Sequence, residues 1–245
     1  MSEPAARGDG RGARELRPLR VEMGYLEWAE GSVLLEMGKT RVLVSASYEP
    51  RVPRFLQGSG SGWVTAEYAM LPRATSVRTP REVQAGRPSG RTQEIQRLVG
   101  RSLRAVTALE RMGEGTITID CDVIQADGGT RTASITAGYL ALAQAVHRLQ
   151  ADGSVPADVL VDSVAAVSTG VVGEDLLLDL CYEEDARAQV DFNVVMTGRG
   201  DMVEVQGTAE GKPFSRRQLD DLVGLAAEGV RRLTEFQHEV LDGAG

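Results

Sequence analysis

Three groups of residues in this chain have the types and spacing to handle an anionic substrate. The first is Gly129-Thr130-Arg131, inside the stretch Gln125 to Thr136 that reads QADGGTRTASIT. An Asp-Gly-Gly turn that opens a helix leaves backbone N–H groups and the positive end of the helix dipole facing outward. Glycines admit a close ligand and an arginine adds a two-pronged contact, so phosphate fits such a turn. An ordinary strand-to-helix turn has the same residues, and only the neighbours can choose between the two readings. One neighbour is Arg91, in the first turn of another helix, where a cation opposes the dipole unless an anion lies between. The second group is Asp185 and Asp191, six residues apart around a short turn. Paired carboxylates beside a phosphate site can hold Mg²⁺ or supply a general acid, although two such residues also suit a solvated acidic turn, as Glu183 and Glu184 do here. The third group is basic. From Arg73 to Arg104 there are eight arginines and no lysine against Glu82 and Glu94, a local +6 in a chain of net charge −8, which leaves −14 elsewhere. Arginine without lysine suits bidentate phosphate recognition, while Arg97, Arg101 and Arg104 also fit a solvated helix face.

The elements that must position these groups follow from periodicity. Ile117, Ile119, Cys121 and Val123 alternate with Thr118, Asp120 and Asp122, which predicts a half-buried strand before the glycine turn. After the turn, Ile135, Tyr139, Leu142, Val146 and Leu149 recur at helical spacing. Val33 to Met37 and Val42 to Tyr48 read as a β-hairpin around Gly38-Lys39-Thr40, and Trp63 to Leu71 as a further strand after a glycine-serine loop. Arg73 to Ser89 lacks apolar periodicity and carries Pro80 and Pro88, so it reads as a long exposed loop. An amphipathic helix is predicted over Gly90 to Met112. Strands are predicted over Val161 to Val172, Leu176 to Tyr182, Val190 to Met196 and Val203 to Gln206, and a closing helix over Ser215 to Leu241. Met1 to Arg14 is expected to fray, and Glu235 to Gly245 reads either as an ordered helix end or as a loose tail over residues 240–245. Strands and helices in this order give an α+β fold, helices on a mixed sheet.

Composition bounds the rest. A chain of 245 residues with 42% apolar and 25% charged residues buries a core, and it has no apolar run of bilayer length. The opening residues have no signal-peptide pattern. Cys121 and Cys181, with the distant His147 and His238, make no zinc site; they are expected to be buried free thiols in strands, in a cytoplasmic protein.

Six stretches resemble the bacterial ribonuclease PH family: EGSVLLEMGKTRVL (30–43), GWVTAEYAMLPRAT (62–75), GRTQEIQRLVGRSLRA (90–105), DCDVIQADGGTRTASITAG (120–138), DFNVVMTG (191–198) and EVQGTAEGKPF (204–214). They span nearly the whole chain in the family's order and spacing. The resemblance implies a phosphate-dependent 3′ exoribonuclease that trims transfer-RNA precursors. It implies a ribosomal protein S5 domain 2-like sandwich, one domain over residues 1–245, assembled as a homohexameric trimer of dimers. It also assigns roles: phosphate binding to Arg91, Gly129, Thr130 and Arg131, the metal (Mg²⁺ or Mn²⁺) and acid role to Asp185 and Asp191, and the RNA acceptor end to Arg73, Arg78 and Arg81. Departures occur at Ser76-Val77, where many members have a His-Thr pair, and at Cys181, often acidic elsewhere. A non-catalytic ring subunit of an exosome-like assembly is the alternative, and loss of the phosphate residues or of the Asp pair would mark it. A second is a small-molecule kinase using the glycine turn, which the arginine loop speaks against.

Overall fold

The expected strands form two sheets in the computed structural model, which describes residues 7–243. The first sheet contains β1 (Leu19–Met23), β2 (Gly31–Met37), β3 (Thr40–Glu49), β4 (Trp63–Met70) and β5 (Thr116–Gln125), in the order β1-β2-β3-β5-β4. Only β4 and β5 run parallel, because a helical crossover joins them. That crossover holds α1 (Gly90–Arg104) and a single turn, α2 (Leu109–Met112). Next comes the central helix α3 (Thr130–Ala151). The second sheet contains β6 (Val164–Val172), β7 (Asp175–Leu178), β8 (Val190–Thr197) and β9 (Met202–Ala209), all antiparallel in the order β7-β6-β8-β9. A helical turn, α4 (Tyr182–Asp185), stands between β7 and β8, and α5 (Arg216–Gly243) closes the fold.

Helix α3 is buried on every side because β2, β3 and β5 of the first sheet, β6 of the second and α1 all pack on it. Small residues make this possible. At Gly31 a Cβ would lie 2.1 Å from the Ala141 carbonyl oxygen, so β2 enters against the bare helix backbone. Strand β6 is covered on both faces: Val164 and Ala166 join the core around α3, while Ala165 and Val167 join a second core beneath α5. Hence β6 reads as a continuous apolar run instead of an alternation.

The chain departs from the sequence reading in four places. Helix α1 stops at Arg104, not Met112, because residues 106–108 leave it to bond Val159 and Val161, with Thr107 bridging Leu160. That same bridge occupies Val161, so β6 starts at Val164. Strand β7 ends at Leu178, short of Tyr182, since Asp179 takes a left-handed conformation (φ 55°) that an extended strand cannot continue. Residues 7–14, expected to fray, are packed: Arg7 and Arg11 are buried against the second sheet's end. Residues 1–6 lie outside the described part. At the other end α5 runs through Gly243, so of the two readings of the C-terminus the ordered helix end describes 240–243, and residues 244–245 lie outside the described part.

Candidate active site

The glycine turn connects β5 to α3. Gly128 (φ 76°) and Gly129 (φ 64°) are both left-handed, and Gly129 is the N-cap of α3, without a side chain to cap it. The first-turn amides are therefore left for a ligand. Thr40 secures the turn from β3: its Oγ1 donates to the Gly128 carbonyl (2.8 Å) and accepts from the Asp127 amide (2.9 Å). A Cβ on Gly128 would sit 2.7 Å from the Leu180 carbonyl oxygen. Gly128→Ala thus carries both a left-handed penalty and a backbone clash, and should lower stability by about 1–3 kcal/mol, a fall in Tm of roughly 2–12 °C. Gly153→Ala is the control, since Gly153 (φ 81°) is left-handed at the end of α3 but has open space around it; equal Tm losses in the two variants would show that the close approach at Gly128 does not matter.

Thr130 and Arg131 point away from the turn to different partners. The Tyr68 hydroxyl, from β4, donates to Thr130 Oγ1 (2.9 Å); burial pushes the Tyr68 hydroxyl's pKa up, against the pull of Thr130, Arg91 and Arg131. Arg131 Nη1 donates to Gln206 Oε1 (2.5 Å) and more weakly to Glu94 Oε1 (3.4 Å). Gln206 Nε2 in turn donates to Glu94 Oε1 (2.8 Å), so α3, β9 and α1 meet at this guanidinium. The Gln206 hydrogen bond, with Arg131 and Arg91 nearby, holds the Glu94 carboxyl below its ordinary value. Arg91 is exposed in the first turn of α1, whose N-cap Ser89 accepts from the Thr92 amide (3.1 Å).

Asp185 and Asp191 approach this cluster from the second half of the chain. They do not flank a turn between adjacent strands as predicted: β7 and β8 both pair with β6, and Asp185 ends α4 while Asp191 lies in β8. The helical turn nevertheless brings Asp185 within electrostatic reach of Asp191. Asp185 is exposed as a residue, but desolvation on the inner side of its carboxyl raises the group against the pull of Arg91 and Arg131. Asp191 is raised by burial and then by Asp185 and Glu210, with Arg131 pulling it down. Arg131 acts on both carboxyls, Arg91 acts on Asp185, and the carboxyls act on each other, so these charges form one electrostatic group of four. Its members are Arg91, Arg131, Asp185 and Asp191.

Three expectations need correction or limits. Glu184 is not solvated: it is buried and takes both prongs of Arg7 at 2.7 and 2.5 Å, whereas Glu183 is exposed as expected. Cys121 is a buried free thiol in β5, but Cys181 is half-buried and caps α4 outside any strand. Arg73, Arg78 and Arg81 are exposed on the loop before α1, and none joins the four-charge group; Arg81 lies near Asp122 on the first sheet, whose carboxyl it pulls down against burial. Both ends of that loop are nonetheless tied to the site. The Ala126 amide donates to the Ala74 carbonyl (2.8 Å) at one end, and Ser89 caps α1 at the other. Sequence reading did not find Tyr68, Glu94 or Gln206. For Tyr68 the signal was present, as the one polar-tipped side chain in the buried alternation Val64, Ala66, Tyr68. Nothing marked Glu94 or Gln206 as partners, because their meeting depends on β9 lying beside α1.

Comparison with known proteins identifies the family. The description "3′ exoribonuclease family, domain 1" matches residues 15–148, and "3′ exoribonuclease family, domain 2" matches residues 162–229. Ribonuclease PH of Moorella thermoacetica is 58% identical over 235 residues, covering 96% of this chain and 94% of that protein. Ribonuclease PH of Bacillus subtilis is 56% identical over 236 residues, covering 96% of each. Among solved structures, rice (Oryza sativa) Rrp46 superposes with a TM-score of 0.78 at 19% identity, covering 96% of this chain and 100% of that one. An Archaeoglobus fulgidus exosome structure with RNA bound to the active site gives 0.77 at 22% identity, covering 94% of this chain and 92% of that one; at such identities these two speak for the fold alone. With both halves matched and more than half of all residues shared with two ribonucleases PH over nearly full length, the chain belongs to the ribonuclease PH branch of the 3′ exoribonuclease family.

Proposed function

We propose that the four-charge cleft is the active site of a phosphate-dependent 3′ exoribonuclease, in which inorganic phosphate attacks the last phosphodiester of an RNA and releases a nucleoside 5′-diphosphate. The observation that carries this reading is the convergence of Arg91, Arg131, Asp185 and Asp191 at an uncapped helix N-terminus. Phosphate and diester are both anions, so their approach needs fixed positive charge. Arg91, Arg131, Thr130 and the backbone at Gly129 supply it and orient the nucleophile. The product keeps a phosphoanhydride bond, which makes the reaction reversible: the enzyme is also a nucleotidyltransferase.

Among the described residues no group of three or more metal-ligating side chains occurs. Two carboxylates suffice for Mg²⁺ or Mn²⁺, which commonly bind one or two carboxylates and complete their shell with substrate phosphates. Asp185 and Asp191 fit that donor set, and their mutual repulsion is what a cation would relieve. Bound there, the metal would neutralise charge on the phosphoryl oxygens. We assign protonation of the leaving 3′ oxygen to Asp185 and the purer ligand role to Asp191. Substrates are the 3′ ends of transfer-RNA precursors and other RNAs, gripped through their backbone by Arg73, Arg78 and Arg81. We further propose one working domain over residues 1–245, a homohexamer built as a trimer of dimers, and a cytoplasmic location. Free thiols at Cys121 and Cys181 suit a reducing compartment, and no described helix is long and apolar enough to cross a membrane.

Phosphate dependence is the test. Protein, Mg²⁺ and a 3′-tailed transfer RNA are incubated with and without inorganic phosphate. Nucleoside diphosphates are expected only with phosphate. Monophosphates released without it would make the enzyme a hydrolase and overturn the mechanism; no release would favour the non-catalytic ring subunit.

A further inference from the structure

The cleft is assembled from two separate parts of the chain: the glycine turn from the first half and the acid pair from the second. The N-terminal arm, residues 7–17, bonds to both. Arg7 lies beneath α4, its side chain 1% exposed. Its fork takes both oxygens of Glu184, and it also donates to the carbonyls of Leu178 (2.7 Å) and Asp179 (2.8 Å). Glu184 in turn accepts from the Cys181 amide (3.0 Å), the first residue of the α4 cap. Burial works to raise the Glu184 carboxyl, but Arg7 and the Cys181 amide more than offset it and hold the group ionised. Helix α4 has four residues, and Glu184 is its one buried side chain. The direction of Asp185, the next residue, therefore depends chiefly on the Arg7–Glu184 pair, with Arg11 Nη2 3.7 Å from Glu184 Oε2 and the Tyr182 amide donating to Asp127 Oδ1 (3.4 Å) as weaker ties.

Arg17 does the corresponding work at the turn. Its backbone amide and Nε hold Asp179 Oδ2 at 2.7 and 3.0 Å, and Nη2 holds Oδ1 at 2.7 Å. The remaining nitrogen, Nη1, donates to the Asp127 carbonyl at 2.6 Å, immediately before the two glycines. Both partners are almost fully enclosed, at 2% and 1% side-chain exposure. A buried bidentate pair of this kind is geometrically strict, unlike exposed ion pairs. Arg7 precedes the first residue, 15, that the family description matches.

We infer that the N-terminal arm is a strap that sets the distance between the two parts of the active site, with Arg7 a positioning residue for Asp185 and Arg17 a positioning residue for the glycine turn. The inference rests on Asp185 acting in the reaction, as proposed above. Arg7 touches neither phosphate nor RNA, so its loss should act on the rate through Asp185 and leave the anion turn intact.

The test compares Arg7→Ala, Arg7→Lys, Asp185→Asn and the double variant Arg7→Ala/Asp185→Asn, each as the full chain with saturating Mg²⁺, tailed RNA and varied phosphate. Arg7→Ala is expected to lower kcat by about 10–100-fold, the usual effect of losing a partner that orients a ligand, with KM for phosphate within about twofold. In the Asp185→Asn background the same substitution should cost nothing further. Should Arg7→Ala not fold, Arg7→Lys decides: it keeps the charge and gives up the fork, and a kcat loss without a phosphate KM change is still expected. Full kcat in Arg7→Ala with an inactive Asp185→Asn would overturn the strap alone. Losses that multiply in the double variant would reduce the arm to general scaffolding. Full activity in Asp185→Asn would overturn the acid assignment and take the strap with it.

Discussion

Asp185→Asn is expected to lower kcat for phosphorolysis by about 10²–10⁴-fold, the usual worth of a positioned general acid, while the folded protein becomes more heat-resistant. The two effects share one cause. Burial raises the Asp185 carboxyl above its ordinary value, and Asp185 in turn raises that of Asp191. A group with a raised folded pKa binds its proton more tightly in the folded state, so its contribution to stability is greatest at low pH and is lost as pH rises through that pKa. At neutral pH both carboxylates are ionised and repel each other, and each weighs against folding. Asparagine at position 185 removes one of these charges. In buffer without divalent metal at neutral pH, Tm of the variant should exceed that of the parent. The gap should shrink as pH falls below the folded pKa, where the parent is protonated too. A variant that loses activity and Tm together at neutral pH would mean that Asp185 serves folding, not chemistry. The activity profile is two-sided: Asp191 must be ionised to hold the metal and Asp185 must carry a proton to donate it, so kcat should fall on the acid side as Asp191 protonates and on the alkaline side as Asp185 gives up its proton.

Arg131→Ala should lower kcat/KM for phosphate by about 10²–10³-fold, on the scale of losing one fixed donor to transition-state charge. KM for RNA should change little, because the RNA-facing arginines lie on a different segment. The size of the effect follows from enclosure. The Arg131 side chain is 13% exposed and is held by Gln206 and Glu94, so its charge is less screened than that of the exposed Arg91, for which a smaller loss is expected. Arg131→Lys should recover little, since an ammonium cannot span both the Gln206–Glu94 pair and an anion as a planar fork does. Initial rates across a phosphate series at fixed RNA give the answer. An unchanged phosphate KM together with unchanged kcat would remove Arg131 from the site.

The strands and long helices were legible because each follows a single period: two for β5, about three and a half for α3 and α5. Boundaries failed where distant pairing overrode the period. Helix α1 ends early because Val159 and Val161 claim residues 106–108, and nothing near Ala105 announces that. The glycine turn and Arg91 were legible because a cation at a helix N-terminus and two adjacent glycines each break a local preference. Glu184 was misread for the opposite reason: locally it is one of three consecutive acids, and its anchor, Arg7, lies 177 residues away. The acid pair's meeting was anticipated, but its geometry was not, since the one-turn helix carrying Asp185 is too short to leave a periodic signal.

That separation also sets when the enzyme can first work. A chain grows from its N-terminus at about 5–20 residues per second, so Arg7 is joined roughly nine to thirty-five seconds before Glu184. Through that interval the first sheet can pair, yet the arm's arginines have no carboxylates to close on and Asp185 and Asp191 do not exist. Closure of the arm is necessarily a late event, with the long loop entropy of a high-separation contact. Until the segment carrying Asp185 and Asp191 has emerged and docked, the proposed active site is incomplete.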